Sequence, residues 1–296
     1  MSSVKNTNLV KGIFCIVFSA FCFSLMGVFV RLSGDVPFMQ KGFFRNIVAL
    51  IIASCILFKE RGSINIPAGS LKYLFIRSVA GSFGIYGNFY AIDRINIADA
   101  AILNKMSPFF AVIFSYFILG EKITPVPFIA VMAAFGGAMC VIKPGIHILE
   151  SLPALVGFLG GMWAGIAYAC VRKLGSMKTT GSLIVVFFSA FSTLVAIPFL
   201  IFDFSPMTWQ QVLLLCGAGA AAAGGQFGIT YAYYNAPARD ISIYDYSQII
   251  FSALLGYILF AQIPDLLSFT GYAVIIMMAV LVFVYNKRTS KESSVN

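Results

Sequence analysis

The stretch AAILNKMSPFFAVIFSYFILGE, residues 100–121, is almost entirely apolar but contains a lysine and a proline. Lys105 follows Asn104, and the pair Ser107 and Pro108 comes two residues later. An ammonium group at the centre of a bilayer costs at least about 2.5–3.5 kcal/mol, so Lys105 either extends to the nearer membrane surface or lines a polar cavity. We favour the cavity, because Pro108 also frees the Asn104 carbonyl from the helical ladder and that carbonyl needs a polar partner.

The composition indicates a membrane protein. Of the 296 residues, 60% are hydrophobic and 10% are charged, and the mean hydropathy is +0.92, whereas soluble domains carry about 25% charged residues. The six cysteines lie in apolar segments without a CxxC pair, and His147 is the only histidine. We therefore expect no metal site and no cofactor. The first apolar run is too long for the core of a signal peptide and is expected to remain as the first span.

Apolar segments of about 20 residues, the length needed to cross the hydrocarbon layer, recur along the chain. Ten can be placed, at residues 9–31, 37–58, 70–92, 97–119, 123–143, 152–172, 179–202, 207–233, 240–261 and 264–285. The connections between them are short and leave no room for a second, soluble domain. The predicted fold class is therefore an all-α integral membrane protein with ten transmembrane helices.

Lysine and arginine are distributed unevenly between the two sides of the predicted bundle. With both termini in the cytoplasm, the cytoplasmic side receives twelve basic residues, which are Lys5, Lys11, Lys59, Arg61, Lys122, Arg172, Lys173, Lys178, Arg239, Lys287, Arg288 and Lys291. The outer side receives Arg31, Arg94 and Lys143. This asymmetry follows the positive-inside rule and predicts a multi-pass protein of the inner (cytoplasmic) membrane with cytoplasmic termini. The net charge of +9 thus reflects topology, and no nucleic-acid partner is expected.

The chain partly matches itself at an offset of 141 residues. The matched positions include Arg31 with Arg172, Gly84 with Gly225, Gly87 with Gly228, and Asp99 with Asp240. We predict an ancestral duplication, with a first five-helix repeat at residues 1–147 and a second at residues 148–296. Because five is odd, the second repeat enters the membrane from the opposite side. This predicts two inverted repeats around a central cavity, as in many secondary transporters, although a scaffold could also arise by duplication.

Polar residues follow one face of two predicted spans. Asn104 and Ser107 lie on such a face in the fourth span, and Asp245 and Gln248 occupy the matching positions of the ninth. Lipid cannot satisfy these side chains, so the two faces are expected to meet each other or a wet cavity. Asp245 is either an aspartate at the membrane surface among tyrosines, or a counter-charge for a substrate amine or a proton-coupling carboxylate.

Further candidates for substrate binding are polar and aromatic side chains of the other spans. They are Tyr86, Asn88, Trp163, Tyr168, Gln226, Tyr231 and Tyr244. Aromatic side chains at such positions more often serve packing than ligand binding. Arg45 begins the second span from the outer side, together with Lys41, and is expected at the entrance of the cavity. Pro108 is the candidate helix kink for gating.

The segment YAIDRINIADAAILNKMSPFFAVIFSYFILGEKIT, residues 90–124, resembles the end of an EamA repeat of the drug/metabolite transporter superfamily. The resemblance is carried by the alanines at 100 and 101, by Ser107-Pro108 and by Leu-Gly-Glu-Lys at 119–122; FFRN at 43–46 is similar to the family's second span. It extends over both halves and implies an inner-membrane transporter with ten helices, a central cavity, and peripheral fifth and tenth helices. The second half departs from the pattern, because Ile249 replaces the proline and Phe-Ala-Gln at 260–262 replaces Leu-Gly-Glu.

These features predict a secondary active transporter that moves a small polar metabolite by alternating access, with import and export both open. Lys105 and Asp245 on opposite sides of the cavity would suit an amino acid or a related zwitterion. A proton or a counter-substrate is the coupling partner to be considered, and the protein is expected to be a monomer or a homodimer. A channel-like facilitator is the alternative. An integral-membrane lipid-modifying enzyme is disfavoured because the sequence has no HExxH, GxSxG or aspartate-rich motif.

Overall fold

The architecture is helical throughout the described part of the chain. The structure is a computed structural model and describes residues 2–59, 66–67, 69–119, 125–142, 148–235 and 242–292. Across these ranges it contains α-helices and one 3₁₀ turn, and no strand. This confirms the predicted all-α fold class. The Gly-Glu-Lys part of the motif at 119–122, His147 and the boundary between the two predicted repeats lie outside the described residues.

The helices follow the predicted spans. They are α1 (Ser2–Leu32), α2 (Phe38–Lys59), α3 (Ser70–Arg94), α4 (Ile97–Asn104), α5 (Ser107–Leu119), α6 (Pro125–Ile142), α7 (Ile148–Ser176), α8 (Gly181–Phe202), α9 (Trp209–Asn235), α10 (Ser247–Phe260) and α11 (Leu266–Glu292). Seven helical segments of the described ranges are long and apolar enough to cross a membrane. The protein is therefore a multi-pass membrane protein, and the full set of ten crossings stays a prediction.

Two of the predicted spans are not continuous α-helices. The fourth is divided into α4 and α5 by a turn at Lys105 and Met106, where the Met106 amide donates to the Leu103 carbonyl at 3.2 Å. The ninth begins with the 3₁₀ turn Ser242–Tyr246 before α10. The Tyr246 hydroxyl donates to the Lys105 carbonyl at 3.3 Å, so the two irregular segments contact each other.

Helices from the two halves of the chain pack against each other in matched pairs. The most extensive contacts join α3 to α7 and α1 to α9, and further contacts join α2 to α8 and α6 to α11. At the sequence offset of 141, α1 corresponds to α7 and α3 corresponds to α9. The first two pairs therefore correspond to each other, and the α2–α8 and α6–α11 pairs each correspond to themselves.

Glycines make the matched pairs close at equivalent positions. A Cβ atom on Gly87 would lie 3.0 Å from the Val156 carbonyl oxygen, where α3 meets α7. A Cβ atom on Gly228 would lie 3.0 Å from the Cys15 carbonyl oxygen, where α9 meets α1. Both members of the second contact lie 141 residues from their counterparts in the first. Small residues let membrane helices approach closely, and here they do so twice in the same way.

Large apolar side chains remain exposed on the outside of the bundle. Phe14, Ile51, Phe117 and Ile201 on four different helices are examples. Such a surface would be unfavourable in water, but it suits contact with lipid. The charged and polar side chains that concern function are instead buried between the helices.

Candidate functional site

A cavity of about 110 Å³ lies between the helices of the two halves. Helices α1, α2, α3, α4, α7, α8, α9 and α10 contribute to its wall, together with the Lys105 turn. Seven of the candidate residues proposed from the sequence line it, namely Arg45, Asn88, Asn104, Lys105, Tyr168, Gln226 and Gln248. The fold therefore brings together polar residues from spans that are far apart in sequence.

Lys105 and Asp245 form a direct ion pair beside this cavity. The Lys105 Nζ lies 2.6 Å from the Asp245 Oδ2, and the two side chains are 9% and 14% exposed. The interruption between α4 and α5 places Lys105 here, and the 3₁₀ turn before α10 presents the aspartate. The sequence led us to expect these charges on opposite sides of a bound zwitterion. In this conformation they neutralise each other instead.

Two buried arginines give the cavity an excess of positive charge. Arg45 is 6% exposed and Arg77 is 7% exposed, and both line the cavity. Their guanidinium carbons lie 6.0 Å and 3.7 Å from the centre of the Phe188 ring. Arg45 Nη1 donates to the Asn46 side-chain oxygen at 2.6 Å. Within the described ranges, neither arginine forms an ion pair, and Arg45 Nε, Arg77 Nε and Arg77 Nη1 have no hydrogen-bond partner.

The position of Arg45 differs from the entrance that we expected from the sequence, because α2 carries it into the buried wall. Arg77 was noted in the sequence only as a basic residue inside a span. A helical spacing of 4, 3 and 4 places Arg77, Gly81, Gly84 and Asn88 on one face of α3, and all four line the cavity. That spacing was the signal that could have identified Arg77.

The remaining candidates lie away from this cavity. The Tyr86 hydroxyl donates to the Ser192 carbonyl at 3.0 Å, and Trp163 stacks on Phe83 with 5.1 Å between the ring centres. Tyr86 and Trp163 line a separate, largely apolar cleft of about 550 Å³ between α2, α3, α7 and α8. Tyr244 is 40% exposed in the 3₁₀ turn.

Pro108 is exposed in the first turn of α5, just after the helix break. Proline is well tolerated in the first turn of a helix, because its missing amide proton would have no partner there. The backbone of Tyr231 belongs to α9, but its side chain lies outside the described part of the structure.

Hydrogen bonds join the two halves of the chain at the end of the bundle where Arg31 lies. Gln40 exchanges two bonds with the Ser205 backbone, at 2.9 and 3.0 Å. The Gln211 amide donates to the Ser33 carbonyl at 3.0 Å. We call these three bonds the Arg31-end contacts. The sequence did not identify them, because side-chain to backbone bonds between loops leave no periodic pattern.

A second ion pair lies near the Arg31-end contacts. Lys41 is completely buried, and its Nζ lies 2.7 Å from the Asp93 Oδ1. An unpaired ammonium group would be costly here, so Asp93 stabilises the start of α2 against the end of α3. Lys41 is therefore already occupied by a protein carboxylate, unlike the two cavity arginines.

Comparison with known proteins agrees with this architecture. The EamA-like transporter family model matches residues 10–143. The pseudopaline exporter CntI of Pseudomonas aeruginosa is 31% identical over 274 residues, covering 92% of this chain and 95% of the exporter. An uncharacterised transporter of Helicobacter pylori is 28% identical, with 94% and 96% of the two chains covered. Human solute carrier family 35 member G1 is 26% identical, with 86% and 73% covered.

The fold itself recurs in a solved structure. A crystal structure with 15% sequence identity superposes with a TM-score of 0.65 and covers 95% of this chain and 99% of the other. At this level of identity the similarity concerns the fold alone. The full-length similarity to the exporter identifies the relationship more specifically. The chain belongs to the EamA-like transporter family of the drug/metabolite transporter superfamily.

Proposed function

We propose that this protein is a secondary carrier that moves a small polar metabolite across the cytoplasmic membrane by alternating access. The observation that carries the proposal is the central cavity, in which buried polar and charged side chains from both halves converge inside an apolar bundle. Charged groups within a membrane domain are rare and typically mark a substrate or ion pathway. The polar wall is therefore the substrate site of the proposed carrier.

We further propose that the two halves are inverted repeats. The corresponding contacts of Gly87 with Val156 and of Gly228 with Cys15 support this arrangement. Two equivalent halves can exchange conformations, so that the same molecule opens first to one side of the membrane and then to the other. The Arg31-end contacts would close one side in this conformation, and the charge distribution assigns that side to the outside.

The proposed direction of transport is export. The similarity to a protein named as a pseudopaline exporter supports this direction. The coupling partner in the proposal is a proton or a counter-substrate, and Asp245 is the intramembrane carboxylate placed to respond to either. A facilitator without alternating access remains the competing function, because a cavity alone does not distinguish a carrier from a pore.

Counterflow in proteoliposomes tests the proposed function. Vesicles containing the purified protein are preloaded with one unlabelled compound at a time from a panel of amino acids, carboxylic acids and amines, and a trace of the labelled compound is added outside. A carrier gives a transient accumulation of label above its equilibrium level for at least one compound. Entry that rises only to equilibrium, without saturation, would reject the carrier and favour the pore.

A further inference from the structure

The charges around the cavity do not balance. Lys105 and Asp245 neutralise each other at 2.6 Å, which leaves the guanidinium groups of Arg45 and Arg77 without a carboxylate in the described ranges. Burying a charge without a partner costs several kcal/mol. We infer that the substrate of this carrier is a metabolite of net negative charge whose carboxylate binds Arg45 and Arg77. This inference rests on the proposed function and names the substrate class.

The Arg77 side chain is held in a fixed orientation with free donors. Its guanidinium carbon lies 3.7 Å from the centre of the Phe188 ring, a cation–π contact. Such stacking occupies the face of the guanidinium and leaves the N–H groups at its edge for a ligand. Among the residues described, Nε and Nη1 are both without a partner. Adjacent guanidinium N–H groups match the two oxygens of a carboxylate.

Gly81 provides the space for this stacked arrangement. A Cβ atom at this position would lie 2.7 Å from Arg77 Nη1 and 2.8 Å from the Phe188 ring. Any larger residue would therefore displace the arginine or the phenylalanine. Arg45, on the other side of the cavity wall, also lies near this ring, at 6.0 Å. The two cations thus share one aromatic side chain and one polar space.

The rest of the cavity wall indicates a second feature of the metabolite. Asn88, Gln226 and Gln248 are uncharged and can donate or accept hydrogen bonds. The Asn88 side-chain oxygen is buried and, in the part of the chain that is described, accepts no hydrogen bond. An amino or hydroxyl group on the metabolite would supply the missing donor. The substrate class is therefore an amino or hydroxy carboxylic acid with net negative charge, and a purely cationic amine is excluded by repulsion.

Ligand-dependent thermal stability of the purified protein tests this assignment. The probes are glutamate and malate as carboxylates, glycerol 3-phosphate as an organic phosphate, alanine as a neutral zwitterion, and spermidine as a cation. We expect stabilisation by at least one carboxylate, with an affinity reduced about tenfold or more by Arg77→Gln or Arg45→Gln and reduced less by the lysine variants. Arg94→Gln, an exposed arginine of the same helix, is the matched control and should leave the affinity unchanged.

Modification of the wild-type protein provides a measurement that does not depend on the folding of a variant. Phenylglyoxal reacts with accessible arginines, and mass spectrometry identifies which of them are modified. The stabilising carboxylate should slow modification of Arg45 and Arg77 but not of Arg94. Stabilisation only by the phosphate, by spermidine or by alanine, stabilisation by neither carboxylate, or equal modification with and without ligand would each overturn the inference.

The two proposals can fail independently. Carboxylate binding that protects both arginines, without counterflow of the same compound, would reject the carrier and retain the assignment of the site. Counterflow of a neutral or cationic compound, without carboxylate binding, would retain the carrier and reject the assignment.

Discussion

The Lys105 ammonium group lies 2.6 Å from the Asp245 carboxylate and joins the break in the fourth span to the irregular start of the ninth. Both partners are largely buried, so each depends on the other for compensation of its charge. The Tyr246 hydroxyl adds a hydrogen bond to the Lys105 carbonyl. The two places where the backbone departs from an α-helix are thus connected by both side-chain and backbone interactions.

Removing one partner of this pair should destabilise the protein more than removing both. Lys105→Met leaves a buried carboxylate unpaired, and Asp245→Asn leaves a buried ammonium group unpaired, whereas the double variant leaves neither. We expect a coupling free energy of about 0.5–3 kcal/mol in a double-mutant cycle measured by unfolding in detergent. The exposed Asp35→Asn serves as a control for loss of a carboxylate at the surface. Purely additive effects would show that the pair is not formed in the detergent-solubilised protein.

The close approach of α7 to the α4 break should not tolerate an additional methyl group. A Cβ atom on Gly161 would lie 2.5 Å from the Leu103 carbonyl oxygen, a backbone atom that cannot rotate away. We expect Gly161→Ala to lower the midpoint of thermal unfolding and to destabilise the protein by about 1–3 kcal/mol. Gly136→Ala is the matched control, because its Cβ would meet no described atom within 4 Å. Equal midpoints for the two variants would contradict the packing of α7 against this break.

How far the sequence predicts this site depends on the kind of information that each residue carries. Lys105 could be assigned to a polar cavity because an ammonium group is incompatible with lipid. The equivalence of Asn104 and Asp245 followed from the repeat offset. The direct contact of Lys105 with Asp245 could not be predicted, because it depends on how far the turns at 105–106 and 242–246 bring two broken spans together. Arg77 was readable in principle from its helix face, but its lack of a carboxylate partner becomes visible only when all helices are in place.

The Arg31-end contacts should control access to the cavity from that side. Gln40→Leu together with Gln211→Leu removes the three hydrogen bonds described above, each worth about 0.5–1.5 kcal/mol. We expect the open population to rise about tenfold or more. The readout is the rate at which a membrane-impermeant thiol reagent labels Asn88→Cys in a chain without its native cysteines. Gln210→Leu, an exposed neighbour, is the control, and an unchanged labelling rate in the double variant would show that these bonds do not hold the end closed.

The proposed inverted arrangement predicts that positions 141 residues apart lie on opposite sides of the membrane. Asp35 and Ser176 form such a pair, and both are exposed just beyond the ends of corresponding helical segments or at their last residue. Single cysteines at these positions, in a chain without native cysteines, should react differently with an impermeant thiol reagent added to intact cells. Because five crossings separate the two positions, we expect Asp35→Cys to be labelled from outside and Ser176→Cys only after the membrane is permeabilised. Labelling of both from the same side would require an even number of crossings between them, and the two halves could then not exchange roles during transport.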